Sequence, residues 1–349
     1  MKGNVVVNGG ALPKVLAPKT ALVTGACALV SGATGFLGSR LAATLAQQGY
    51  RVRALARSTS DLSRLSNLGI EIVVGDIGDP ASLARATAGQ RVVFHTAGKV
   101  TDWGQHAEFM TVNRDGTANV VAACQAAGVA HLVHVSSLTV LGLPRDGRLI
   151  DEQSPYAVAP PDSYTQSKIA AEQLVRAAHG QRGLTTTVIR PGVIWGAGDI
   201  TIVPRIVTLM RRGRMPCLGR GDNLLALSHV DNLALGCKLA VENAAAAGQI
   251  YHVTDGEPIT LRQALDAIAD VYHVARPRSS MPVWAVQAAA ALIELAACLR
   301  GRSQPPAITR FGVRMLASHC RYDIGKARRE LSYAPRVSFA EGIAAMEGV

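Results

Sequence analysis

Apolar runs of strand length alternate with helically spaced apolar positions through the first half of the chain. Residues 27–30 form one run, followed by Ser31-Gly32-Ala33-Thr34-Gly35-Phe36-Leu37-Gly38 and then by Leu41, Leu45 and Ala46, up to Gly49. That pattern predicts strand, glycine turn and helix. Residues 51–57 predict a second strand, 61–68 a short helix stopped by Gly69, and 70–74 a third strand ending at Gly75-Asp76-Ile77. Asp79-Pro80 predicts a capped helix start, with Gly89 at its end. A fourth strand over 91–94 ends in His95-Thr96-Ala97-Gly98, a long helix covers 108–127, and a fifth strand over 132–135 ends in Ser136-Ser137. Strands alternating with helices predict a doubly wound parallel sheet of the α/β class. Ligands of such sheets sit beyond the carboxyl ends of the strands. Every predicted strand ends there in a small or polar group.

The second half is more helical. Thr260-Leu261-Arg262-Gln263 reads as a capping box, with Leu261, Leu265, Ile268 and Tyr272 at helical spacing behind it. Asp231 begins a helix that returns to the sheet. The expected organisation is a flexible extension over 1–19, a dinucleotide-binding domain over 20–196 and 228–255, and a smaller, mainly helical substrate cap over 197–227 and 256–349. The most apolar stretch, 281–299, admits three readings: a packed cap helix, a greasy wall for a lipid-like substrate resting on a membrane, or a transmembrane helix.

Composition adds little to this and removes several classes. The 349 residues are 48% hydrophobic and 17% charged, enough for a large core. The net charge of +11 favours anionic partners. With no aromatic-interleaved basic platform, nucleic acid is not an expected partner. Six scattered cysteines without a C-x-x-C pair argue against a metal site or disulfide framework and for a reducing cytoplasm. Lys14 and Lys19 before the apolar run at 21–30 resemble a signal peptide, but cleavage there would destroy the glycine turn.

A glycine turn between strand and helix lets backbone approach a pyrophosphate, and the helix N-terminus attracts its charge. Gly32, Gly35 and Gly38 have G-x-x-G-x-x-G spacing, so Thr34, Phe36 and Leu37 lie within the expected cofactor site. The second strand lacks the acid that holds the ribose of NAD and ends instead in Ala56-Arg57. An arginine there can grip a 2′-phosphate, which makes NADP(H) preferred and NAD(H) the alternative, with Asp61 serving as the acid. Asp76 is placed for the adenine edge, or only for a turn.

Tyr164 and Lys168 are four residues apart in a predicted helix and share one face. A tyrosine titrates near ~10 in water. An ammonium about 4 Å away is worth roughly 4 kcal/mol at an effective dielectric of ~20, which as an upper limit lowers the phenol by ~3 units. Such a pair suits general acid/base work. Ser136 or Ser137 could orient a substrate oxygen.

Taken together, Gly32/Gly35/Gly38, Asp76, Ala97-Gly98, Asn113, Ser137, Tyr164, Lys168 and Arg190-Pro191-Gly192-Val193 resemble the extended short-chain dehydrogenase/reductase family. The resemblance covers 27 to about 345. Segments such as Lys99-Val100-Thr101-Asp102-Trp103-Gly104, Ser228-His229-Val230-Asp231-Asn232 and Thr254-Asp255-Gly256-Glu257-Pro258 resemble its branch of 3β-hydroxysteroid dehydrogenases, sterol-4-carboxylate 3-dehydrogenases and 2-alkyl-3-oxoalkanoate reductases. The resemblance implies a Rossmann-type fold and a set of roles. Tyr164 exchanges the hydroxyl proton. Lys168 holds the nicotinamide ribose and lowers the Tyr pKa. Ser137 positions the substrate oxygen, and Asn113 supports the site. Pro191 to Val193 lies against the nicotinamide. A homodimer is also implied.

The expected function is hydride transfer between NADP(H) and a secondary alcohol or ketone of a hydrophobic substrate, of the 3-hydroxysteroid or 3-oxo/3-hydroxy acid type. One rival is a nucleotide-sugar epimerase or dehydratase, with Arg205, Arg211, Arg212 and Arg214 as phosphate ligands. Another is a non-catalytic NADP-sensing protein. The expected location is cytoplasmic, peripheral to a membrane if 281–299 rests on one.

Overall fold

The computed structural model describes residues 25–302, 304–319 and 321–347. The expected extension over 1–19 lies outside the described residues, as do residues 21–24 of the apolar run over 21–30. From there strand and helix alternate: β1 (Cys27–Ser31), α1 (Phe36–Gln47), β2 (Arg51–Ala56), β3 (Glu71–Val74), α2 (Pro80–Thr87), β4 (Val92–His95), α3 (His106–Phe109), α4 (Gly116–Ala126), β5 (His131–Val135), β6 (Leu149–Ile150), α5 (Ser163–Ala177), β7 (Thr185–Pro191) and β8 (Val193–Trp195). Helices then dominate: α6 (Ile202–Arg211), β9 (Cys217–Leu218), β10 (Leu227–His229), α7 (Val230–Glu242), β11 (Ile250–Val253), α8 (Leu261–Val271), β12 (Ser280–Met281), α9 (Val283–Leu299), α10 (Arg310–Leu316), β13 (Arg321–Tyr322), α11 (Gly325–Leu331) and α12 (Phe339–Ala344).

Seven strands form one parallel sheet in the order β11-β7-β5-β4-β1-β2-β3. The protein therefore has the expected Rossmann-type doubly wound fold. The chain runs outward from β1 to β3, then returns to β4 on the other side of β1. Their divergent connections leave a crevice at the carboxyl ends of β1 and β4. Both faces are covered, which is why the central strands read as continuous apolar runs. On one face Ala28, Val30, Phe94 and Val133 pack against Leu41 and Leu45 of α1 and Leu233 and Cys237 of α7. On the other, Leu29, Val93 and Leu132 meet Leu83 of α2, Val120 and Cys124 of α4, and Val175 of α5. A separate cluster joins α6, α8 and α9 through Val203, Ile206, Met210, Leu265, Ile268, Val286 and Ala290.

Three expectations change. The helix predicted over 61–68 is a single 3-10 turn, Ser63–Leu65. The Asp61 carboxylate accepts hydrogen bonds from the Ser63 amide and hydroxyl, both at 2.9 Å, and Asn67 and Gly69 take positive φ, so helix cannot propagate. The long helix predicted over 108–127 is broken by a π-helical turn, Met110–Asp115, between α3 and α4. The transmembrane reading of 281–299 fails: among the described residues no helix is long and apolar enough to cross a membrane. The capping box at Thr260 forms as expected, with the Thr260 hydroxyl accepting from the Gln263 amide.

Candidate active site

The turn after β1 has no room for a side chain at Gly32 or Gly38. Gly32 has φ +71, and a Cβ there would stand 2.7 Å from the Ala97 amide nitrogen at the end of β4. A Cβ on Gly38 would lie 2.1 Å from the Gly32 carbonyl oxygen, so α1 can seat on the turn only if Gly38 is bare. Gly35 is the N-cap of α1, and no side chain caps that end. Its free amides and positive dipole end point into the β1–β4 crevice, a cradle that fits a dinucleotide pyrophosphate. Thr34, Phe36 and Leu37 frame it. Thr96 closes the floor by donating from its hydroxyl to the Ser31 carbonyl at 2.7 Å.

Arg57 follows β2, exposed, with no side-chain partner among the described residues. Asp61, the alternative ribose acid, is spent on its own turn. Asp76 follows β3 on the same edge and accepts from the Gly78 amide at 2.7 Å, so it does form a turn. Ile77 is buried beneath it against Gly116, where a Cβ would come within 2.7 Å of the Ile77 side chain. Pro191 ends β7, and Val193 begins β8 after Gly192, whose amide donates to the Ser228 hydroxyl at 2.9 Å.

Ser137 and Tyr164 meet beyond β5. Ser137 caps the following turn, its hydroxyl accepting from the Thr139 amide at 3.2 Å and from the Thr139 hydroxyl at 3.0 Å, and it lies close enough to the Tyr164 phenol to pull that group's pKa down. Tyr164 and Lys168 lie on α5, which starts at the Asp162 cap. Burial pushes the phenol up to about 12 against the opposing pull of Ser137, while Asp162 adds to the rise. Burial pulls the Lys168 ammonium down to about 8, opposed by Glu172. The expected lowering of the phenol by Lys168 is thus not what sets its value here: the ammonium donates instead to the Val135 carbonyl, at 2.6 Å.

Asn113 sits in the π-helical turn and is buried. Its carbonyl oxygen accepts from the Lys99 amide at 2.6 Å, and its amide donates to the Lys99 carbonyl and the Ser167 hydroxyl. Ser167 in turn donates to the Tyr164 carbonyl at 2.7 Å. One side chain therefore fixes both the loop after Ala97-Gly98 and the helix that carries the tyrosine. An α-helix continued through 110–115 would turn Asn113 away, which accounts for the inserted residue.

Four features were not singled out from the sequence. Glu172 and Arg190 form a fully buried ion pair at 2.6 Å under the α5 helix. Ser136 and Tyr156 both donate to that carboxylate, at 2.6 and 2.9 Å, so Ser136 faces the core while Ser137 faces the crevice. Phe311 of α10 meets the Tyr164 ring edge-on, with centroids 5.8 Å apart. Asp102 ties the loop after β4 to the cap through Arg205 at 2.7 Å and through the Thr309 hydroxyl. Glu172, eight residues after Tyr164 on the same helix face, was the one signal in the sequence for the buried pair. The Asp102 contact also removes Arg205 from the phosphate ligands of the nucleotide-sugar rival, because its other nitrogens donate to Pro306 and Ala307 carbonyls.

Comparison with known proteins places this geometry. The family model for the 3-beta hydroxysteroid dehydrogenase/isomerase family matches residues 29–280. A 2-alkyl-3-oxoalkanoate reductase of Stenotrophomonas maltophilia is 35% identical, covering 90% of this chain and 96% of its own. A 4-hydroxy-2-methyl-3-oxo-4-farnesyl-3,4-dihydroquinoline-1-oxide ketoreductase of Stigmatella aurantiaca is 35% identical over 91% of this chain and 94% of its own. Among solved structures, gox2253 superposes with a TM-score of 0.74 at 32% identity, over 92% of this chain and 96% of that one.

Proposed function

The chain belongs to the 3-beta hydroxysteroid dehydrogenase/isomerase family and is an oxidoreductase of the extended short-chain type; from that premise we propose hydride transfer between NADP(H) and the 3-oxo or 3-hydroxy group of a hydrophobic substrate, with Tyr164 as acid and base. The observation that carries it is the juxtaposition of the Ser137 hydroxyl and the Tyr164 phenol beside the Phe311 ring. The Ser137 hydroxyl and the Tyr164 phenol lie beside one another, with the apolar Phe311 ring against the tyrosine. Both relatives named above are reductases of 3-oxo compounds, one with an alkyl and one with a farnesyl substituent.

The chain's residues suit the cofactor. Gly32, Gly35 and the α1 N-terminus would hold the pyrophosphate, Arg57 the 2′-phosphate, and Asp76 and Ile77 the adenine end. Lys168 would hold the nicotinamide ribose, with Ala97, Gly98, Pro191 and Val193 around the ring. When bound, the nicotinamide supplies or takes the hydride. Ser137 orients the substrate oxygen by hydrogen bonding, most strongly as that oxygen gains charge. In reduction Tyr164 gives its proton to this oxygen as the carbonyl carbon receives the hydride. In oxidation the phenolate takes the hydroxyl proton as the hydride leaves. A phenol held near 12 is fully protonated at neutral pH, the form that reduction requires.

Tyr164→Phe tests the assignment. Reduction of a 2-alkyl-3-oxo acid by NADPH, followed by loss of nicotinamide absorbance, should fall about 10²- to 10⁴-fold, with NADPH binding retained. Turnover at the wild-type rate would remove Tyr164 from the chemistry.

A further inference from the structure

Helix α9 carries only two polar side chains apart from Cys298, Gln287 and Glu294, both turned onto Arg310, and its remaining apolar surface is covered on only one side. Val286, Ala290 and Ala297 are buried in the cap. On the other side Trp284, Ala288, Leu292, Leu295 and Leu299 recur at helical spacing, all exposed. Trp284 keeps 75% of its surface and Leu299 81%, values far outside what a packed cap helix shows. Met281 and Ile293, each about two-fifths exposed, widen the stripe. Its only acid, Glu294, is turned aside onto Arg310. Arg278 precedes the stripe and Arg300 and Arg302 follow it, exposed, their guanidinium groups without a hydrogen-bond or ion-pair partner among the described residues.

We propose that this face rests on an anionic lipid surface, with the apolar stripe in the acyl boundary and the three arginines on the headgroups. The helix has 17 residues and so spans about 25 Å, too short for the ~30 Å hydrocarbon core but suited to lying along its boundary. A tryptophan at one end and arginines at both are the side chains that favour such an interface. The charge fits the same occupant: a chain of net charge +11 is drawn to anionic lipid. A second copy would bring arginine against arginine. A strip about 25 Å by 10 Å also falls well short of the ~800 Å² per partner of a stable dimer. The buried side of α9 packs on α10, which carries Phe311 against Tyr164, so the surface in contact with lipid lies one helix from the reacting position.

The test is co-sedimentation of the full chain with vesicles of phosphatidylcholine alone and of equimolar phosphatidylcholine and phosphatidylglycerol. Wild type should bind the phosphatidylglycerol vesicles, and added salt should weaken binding. Arg300→Gln should weaken it about fivefold. Trp284→Ser with Leu295→Ser should weaken it at least about tenfold. A melting temperature equal to wild type shows that the variants are folded; if the serine pair does not fold, the arginine variant and the salt dependence decide. No binding by wild type, or equal binding by folded variants, overturns the proposal. So does a wild-type dimer that the serine variant converts to monomer, because a second copy then covers the face. None of these readouts depends on turnover, so failure of the assigned reaction leaves them unaffected.

Discussion

Arg57 stands at the end of β2 with its charge unclaimed, beside an Asp61 that its own turn consumes. A 2′-phosphate would be its first strong partner. Arg57→Ala should therefore weaken NADPH binding about tenfold or more and leave NADH nearly unchanged, as measured by fluorescence titration. Equal losses for the two cofactors would remove the arginine from the recognition of that phosphate. At this scale the glycine turn and the Tyr164–Lys168 spacing could be read from the pattern, whereas Asn113 and the choice of Ser137 over Ser136 came only from the family resemblance. What was not legible was environment. Spacing alone put Lys168 near the phenol, but a hydrogen bond to the Val135 carbonyl and the loss of water around both groups emerge only when the strands close over them.

Helix α5 carries the tyrosine and lysine on the edge it shares with Ser167, and it is anchored from below by Glu172. That carboxylate accepts from Arg190, Ser136 and Tyr156, joining α5 to the ends of β5 and β7. Glu172→Ala would leave the Arg190 guanidinium buried and unpaired, and should destabilise the fold by roughly 3–5 kcal/mol. Chemical denaturation checks this; a loss below about 1 kcal/mol would mean that the pair is dispensable. Strand and helix order was readable from period alone, since burial on both faces makes the strands plainly apolar. The π-helical turn was not, because one inserted residue leaves the apolar pattern of the helix nearly intact. The Ser63 turn was misjudged because Asp61 bonds locally instead of capping a helix.

Among the described residues five buried histidines, His95, His131, His134, His229 and His252, are held below their usual range by burial. Burial lowers His95 and His252 to about 3 and His131 to about 4, and it holds His134, whose ring nitrogens find no partner, well below its usual value. Above pH ~6.5 these residues are neutral in both folded and unfolded chains and contribute no pH dependence. Below it the unfolded chain binds protons that the native state refuses, so stability falls with pH, by up to about 1.4 kcal/mol per unit for each histidine until its native value is reached. Denaturant midpoints should drop between about pH 7 and pH 5, and His134→Leu should flatten the slope. A midpoint constant over that range would mean that these rings take up protons in the folded chain.

The Asp102 contacts have a consequence for how the protein comes apart. The sheet has a hydrophobic core on each face and α6, α8 and α9 share another, yet the chain passes from the sheet to those helices, back through α7 and β11, and out again. Asp102 pins the loop after β4 to α6 and to the start of α10, and Arg314 of α10 reaches Asp162, the cap of α5. The Tyr333 hydroxyl then bonds the Thr254 carbonyl beyond β11. Neither core can be excised without cutting the other's connections, so one melting transition is the expected outcome of calorimetry, and two resolved peaks would mean that the cores come apart separately.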